Sequence, residues 1–251
     1  KAKDAIVDQF REETDYRPSV NIKNPDLRLN IHLSRENVCT LSMDSSGDVL
    51  HKRGYRTVTG EAPINEVLAA GMIMLSGWKK DCAFVDPMCG SGTLLVEAAM
   101  MAQNIPAQIN RRDFGFQKWK NYDKNLFREV VAESKKNIID FEFPILGYDI
   151  DNEAIRIAKA NIMNARLSGQ IQLEQADFRE LEKPSEKGIM IMNPPYDERL
   201  EIPDINAFYK SIGDQLKKSF SGWEAWLISS NKEALKNVGL RPSRKIMLFN
   251  G

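Results

Sequence analysis

The chain has 251 residues and a mass of 28.5 kDa, with 42% hydrophobic and 28% charged side chains. That profile fits one large or two small globular domains and excludes collagen-like, disulfide-rich and disordered classes. Its 35 basic and 35 acidic side chains cancel, so any nucleic-acid surface has to be a local patch.

The longest nearly apolar run, 67–75, falls short of the roughly 18–20 residues that cross a bilayer. Cys39, Cys82 and Cys89 form no CxxC pair and no histidine cluster accompanies them. Neither a membrane segment, a disulfide framework nor a metal site is expected, and the cysteine usage fits a reducing cytoplasm.

The chain opens inside a helical pattern, with Ala5, Ile6 and Phe10 roughly on one face, which implies that something precedes it. Two alternating runs, 27–33 and 37–44, predict a small antiparallel piece joined by the turn Ser34, Arg35, Glu36. From about residue 60 the period becomes helical through APINEVLAAGMIMLSGW, with Pro63 near the first turn and Gly77 as the stop. The domain boundary is placed between Tyr55 and Glu61. Thereafter strands at 83–86, 145–149, 171–176, 188–192, 225–229 and 245–249 alternate with helices at 92–102, 125–139, 152–168, 204–219 and 232–238. This predicts an α/β fold, Rossmann-like, with an open and mostly parallel sheet covered on both faces. The long stretch 104–123 is rich in Arg, Lys and aromatics and exceeds an ordinary connection. At the end, KIMLFNG reads as a strand entering an Asn-Gly turn, with its returning strand missing.

The segment AFVDPMCGSGTLLVEAA is an apolar strand, an acid, a glycine turn and a helix. Gly90 and Gly92 let the backbone approach a ligand, and the helix N-terminus offers free N–H groups beside Met88, Ser91 and Thr93. Asp86 selects the ligand: a carboxylate here repels a pyrophosphate but suits an ammonium and a sulfonium, which favours S-adenosylmethionine (SAM) over a dinucleotide. No Lys follows the glycines, so the Walker pattern is absent. The turn read blandly would only bring helix and strand together.

Downstream, ILGYDID puts Asp149 where a ribose diol would lie, with Ile150 as an apolar face for adenine. Helix capping by Asp149 or Asp151 is the alternative. Asp177, past the next strand, is placed to accept from the adenine amino group with Phe178 alongside.

GIMIMNPPYDERL is the most informative stretch. Pro194 and Pro195 hold a rigid backbone after a buried strand and present Asn193 at the sheet edge. An exocyclic amino group is a poor nucleophile because its lone pair is delocalised. Two acceptors, the Asn193 side-chain oxygen and the Pro194 carbonyl, can bind its hydrogens and aim the lone pair at a sulfonium methyl. Tyr196 would stack on an unstacked base.

In these residues the chain resembles the SAM-dependent amino methyltransferases, through DPMCGSGT, GYDID, QADF and NPPY in that order. With NPDLRLNIHL, MDSSGD, HKRGYR and EAPINEVLAAG added, it resembles the THUMP-containing RNA methyltransferases, and among them those acting on guanine N2 of 23S rRNA. The resemblance implies methyl transfer to one guanine, with 23S rRNA or the precursor large subunit as partner. Residues 1–56 would then end a THUMP-like RNA-binding region and its linker, and 57–251 would form the methyltransferase domain, short of its last strand. Members of that family usually read NPPYG, whereas Asp197 stands here in place of the glycine.

Two basic-aromatic clusters are candidate RNA contacts: Arg53, Tyr55 and Arg56 in HKRGYR, and Arg111, Arg112 and Lys118 in RRDFGFQKWKNY. In the second, Phe114, Phe116 and Trp119 either stack on bases or pin the insertion to the body. Three functions remain open: an rRNA guanine-N2 methyltransferase, an adenine-N6 methyltransferase of DNA or RNA, and a non-catalytic RNA-binding or assembly module.

Overall fold

The computed structural model describes residues 2–56, 64–195 and 203–249. The chain divides into two compact units, Lys1–Val49 with Arg112–Asn125, and Leu50–Arg111 with Leu126–Gly251.

The first unit holds helix α1 (Ala2–Thr14) and the hairpin β1 (Leu29–Leu33) and β2 (Cys39–Met43), paired antiparallel with Ile31 opposite Leu41. Ser34 closes the hairpin, its Oγ accepting from the N–H groups of Glu36 and Val38. After β2 the Asp44 carboxylate accepts from the N–H groups of Ser46 (2.8 Å) and Gly47 (3.1 Å), shaping a tight turn. Onto this turn docks part of the long insertion: Gly115 N–H donates to the Ser46 carbonyl at 3.0 Å and Phe116 N–H to that of Ser45 at 2.9 Å. Gly115 is required by proximity, since a Cβ there would lie 3.0 Å from the Asp44 carbonyl oxygen and the Gly47 nitrogen. Residues 112–125 therefore group with the N-terminal unit and not with the sheet whose sequence they interrupt.

The second unit is built on a five-stranded sheet in the order β5-β4-β3-β6-β7, with every neighbouring pair parallel. Its strands are β3 (Ala83–Asp86), β4 (Ile145–Asp149), β5 (Ile171–Gln175), β6 (Gly188–Met192) and β7 (Glu224–Leu227). The central pair, AFVD and GIMIM, is buried throughout, as continuous apolar runs in a doubly covered parallel sheet must be. Around it lie α2 (Glu66–Ser76), α3 (Thr93–Ala102), α4 (Lys124–Lys136), α5 (Asn152–Asn164), α6 (Ile205–Ser219) and α7 (Lys232–Lys236). Of these, α3 is the most deeply set, with nine of its ten residues buried. No helix among the described residues is long and apolar enough to cross a membrane.

The strand expected at 245–249 is not formed. Met247 and Phe249 are 77% and 81% exposed, and no described strand runs beside them. An alternating pattern supplies side chains for a strand but not the hydrogen-bonding edge that makes one. The Asn-Gly turn expected after it lies outside the described residues.

Candidate cofactor and base site

The sheet order reverses at β3. From there the chain steps outward through β4 and β5, then returns to the other side for β6 and β7. In open α/β sheets the crevice at such a reversal, beyond the carboxyl ends of the strands, is where ligands bind. Asp86 ends β3, and Asn193, Pro194 and Pro195 follow β6, its neighbour, with Val85 paired to Met190. Asn193 and Pro195 are half-buried and Pro194 is buried.

Asp86 is 1% exposed. Its carboxylate accepts one hydrogen bond, from Met88 N–H at 3.2 Å, and no cation of the described chain pairs with it. Burial, assisted by the negative charge of Asp149, pushes its pKa up to about 8 against the pull of the Met88 N–H. A buried acid without a cation keeps its proton near neutrality, so the place beside it suits a positively charged ligand.

The glycine loop is held from two sides. From β4, the Tyr148 carbonyl accepts from Cys89 N–H at 2.8 Å, and Asp149 Oδ2 accepts from Gly90 N–H at 2.9 Å. The other Asp149 oxygen accepts from Asp151 N–H at 3.0 Å, so each oxygen retains a lone pair for a ligand hydroxyl. From α5, Asn161 Nδ2 donates to the Ser91 carbonyl at 3.0 Å. Gly92, with φ +79°, caps α3 in a left-handed conformation where a Cβ would fall 3.2 Å from Ala158 Cβ. Asp151 caps α5 through Glu153 N–H. Ile150 is 63% exposed, an apolar side chain left open at the end of β4.

Other expected site residues sit differently. Phe178, expected beside the adenine, is 5% exposed and packs in the core with its ring stacked on Phe220 at 6.3 Å. Asp177 caps the short turn Phe178–Glu180 and pairs with the Arg179 guanidinium, which holds its carboxyl below the usual range. Met88 is half-buried against the core cluster containing Val85 and Met192.

The cluster HKRGYR, expected to face RNA, makes contacts within its own unit. Tyr55 is 3% exposed and donates to Glu97 Oε1 at 3.2 Å. Arg53 lies against both oxygens of Glu97, each at 3.4 Å. Arg56 is turned onto Glu66, Ile64 and Thr93. A basic-aromatic string on paper is here consumed by buried acids of α2 and α3. Glu97 could have been found from sequence, since a lone carboxylate inside the apolar helix TLLVEAAMMA demands a partner. Burial pushes the Glu97 carboxyl up while Arg53 draws it down. Asn161 and Ala158 carry no such signal, because a helix of mixed composition does not show which side chains meet a distant loop.

In the insertion, Lys118 Nζ donates to Asn24 Oδ1 at 3.1 Å and to the Pro25 carbonyl, and lies 3.7 Å from Asp26. Arg112 is exposed and Arg111 half-buried. Phe114 stacks on Phe116 at 5.4 Å, and Phe116 leans on Tyr122 at 5.9 Å, so these aromatics pack on one another. Pro63, Tyr196 and Asp197 lie outside the described residues.

Such a site on such a sheet defines the fold of the SAM-dependent methyltransferases. Residues 53–251 match the family described as RMKL-like, methyltransferase domain, and residues 1–44 match the THUMP domain. The chain is 40% identical to the ribosomal RNA large subunit methyltransferase K/L of Shewanella sp. (strain W3-18-1), over 100% of this chain and 36% of that protein. Among solved structures it is similar to SMU.472 complexed with SAH, with TM-score 0.88 and 33% identity over 99% of this chain and 66% of that one. It is also similar to a predicted N6-adenine-specific DNA methylase from Listeria monocytogenes, with TM-score 0.85 and 31% identity over 98% and 63% of the two chains. The chain belongs to the RMKL-like methyltransferase domain family, as its motifs led us to expect. It spans about a third of the length of the K/L protein it matches.

Proposed function

We propose that this chain carries the catalytic site of a SAM-dependent RNA methyltransferase that methylates the exocyclic N2 amino group of a guanine in 23S rRNA, free or in the precursor large subunit, in the cytoplasm. The observation that carries this reading is the juxtaposition of a buried, cation-seeking Asp86 with Asn193, Pro194 and Pro195 on the two strands that flank the reversal of the sheet. The rRNA half of the proposal draws on the K/L relatives and the THUMP match, with 1–56 as the RNA-holding region and linker and 57–251 as the methyltransferase domain.

The residues fit the cofactor. Asp86 offers the acid that a cationic ligand would ionise, the glycine loop with Met88, Gly90, Gly92 and Thr93 its backbone, Ser91 its hydroxyl, Asp149 two lone pairs and Ile150 an apolar platform. SAM, when bound, supplies an electrophilic methyl on a positively charged sulfur. The Asn193 side-chain oxygen and the Pro194 carbonyl accept the two amino hydrogens and turn the nitrogen lone pair outward, so that no strong base is needed before transfer. The two prolines hold those acceptors still. Tyr196 is assigned the stacking role by the family resemblance.

Methyl transfer from labelled SAM to unmodified 23S rRNA by the full-length protein, followed by nucleoside mass spectrometry, tests the reading. N2-methylguanosine is expected. N6-methyladenosine would support the second reading, favoured by the likeness to the Listeria protein, and SAM binding without any product would support a non-catalytic module.

A further inference from the structure

The segment that carries HKRGYR ends on the cofactor loop. Arg56 Nη2 donates to the Ile64 carbonyl at 2.8 Å and to Thr93 Oγ1 at 2.7 Å, and Nε lies 3.6 Å from Glu66 Oε1. The Arg56 and Glu66 side chains are 13% and 6% exposed, so the guanidinium is enclosed beside a buried carboxylate, held by its Nη2 bonds while Nε makes no hydrogen bond. Thr93 is the first residue of α3, and its Oγ1 lies 3.2 Å from Ser91 Oγ in the glycine loop.

A guanidinium only donates, so Thr93 Oγ1 must accept from Arg56. Thr93 Oγ1 keeps its hydrogen and a second lone pair, and Ser91 Oγ, 3.2 Å away, can accept that hydrogen or donate to that lone pair. In the arrangement in which Thr93 donates, the Ser91 hydrogen is available to a ligand at the N-terminus of α3, where backbone N–H groups also favour negative charge.

We propose that Arg56 is a positioning residue for the cofactor: through Thr93 it sets the Ser91 hydroxyl as a donor to the carboxylate at the amino-acid end of SAM. The inference rests on the SAM reading above. It assigns Arg56 neither to RNA nor to simple packing, and it predicts an effect confined to ligands that carry the carboxylate.

The test compares two ligands, SAM and 5′-methylthioadenosine, which keeps the nucleoside and sulfur but lacks the amino-acid end, binding to the whole chain by calorimetry. Thr93→Val removes only the hydroxyl and is expected to weaken SAM about tenfold, the size of one hydrogen bond to a charged group, while leaving methylthioadenosine within twofold. Thr93→Ser is expected to restore most of the loss. Arg56→Lys keeps the positive charge next to Glu66 and is expected to weaken SAM alone, adding nothing in the Thr93→Val background. Equal weakening of both ligands, or no change in either, overturns the relay. Additive losses for the two substitutions overturn it as well. A wild-type chain that binds neither ligand overturns the SAM reading itself, and the relay with it.

Discussion

The two compact units are held together by different means. In the sheet unit, β3, β6 and α3 are sealed in an apolar core, and the strand ends emerge from it as fixed points. In the other unit, Val7 is the one buried apolar side chain among the described residues, and both hairpin strands are exposed along their whole length. On one face of that hairpin, Leu29, Ile31 and Leu33 stand opposite Met43, Leu41 and Cys39. Its order comes from turn hydrogen bonds at Ser34 and Asp44 and from the backbone contact of Gly115. Burial gives the proposed reacting site a rigid frame, whereas hydrogen-bonded turns can shape a surface without a large core.

If the chemistry lives in the sheet unit, the largest effect belongs to Asn193. Asn193→Ala is expected to lower single-turnover methyl transfer by about a hundredfold or more and to leave the SAM dissociation constant unchanged, as read by rapid quench and calorimetry. A normal rate would remove Asn193 from the mechanism.

Asp86 comes next, and its effect depends on pH. With a folded-state pKa of about 8, binding of a cation has to displace a proton, so SAM affinity is expected to fall about tenfold for each pH unit from 7 down to 6. Asp86→Asn should flatten that profile and bind weakly throughout. Unfolded, the same carboxyl titrates near 3.9, so the ligand-free folded state holds an extra proton between roughly pH 4 and 8. Its stability therefore declines as pH rises through that window and levels off above it. Asp86→Asn should raise the ligand-free melting temperature at pH 8, corresponding to roughly 1–3 kcal/mol, and an unchanged or lower value would contradict the shift.

The hydrogen-bonded unit is probed at Gly115. Gly115→Val places side-chain atoms against the Asp44 and Gly47 backbone and is expected to cost about 1–3 kcal/mol. Faster amide exchange over 44–48 should accompany it, with SAM affinity within twofold of wild type. A large loss of SAM affinity would break the separation of the two units. The smallest effect is expected for Arg179→Ala, which removes a largely exposed partner of Asp177: under about 1 kcal/mol in thermal unfolding.

The sheet was legible in the sequence wherever burial was complete. The ranges 83–86, 145–149 and 188–192 are recovered to the residue, because an apolar run ended by an acid or by Asn-Pro-Pro has sharp edges. The strand expected at 245–249 was misread because alternation is a property of one segment and pairing a property of two. The partners of HKRGYR were not legible for a related reason: charge and aromaticity show what a segment can bind, and the carboxylates it meets in the fold, Glu66 and Glu97, come later in the chain. The packing of Phe178 on Phe220 was not legible either, because the partner lies more than forty residues further along the chain.

The docking of residues 112–125 onto the turn at 44–48 also bears on how the protein is made. A ribosome delivers the hairpin first, yet the peptide segment that seats against it emerges only after β3, the glycine loop and α3. The turn at 44–48 thus gains its backbone partners only after the first strand and helix of the sheet have been made.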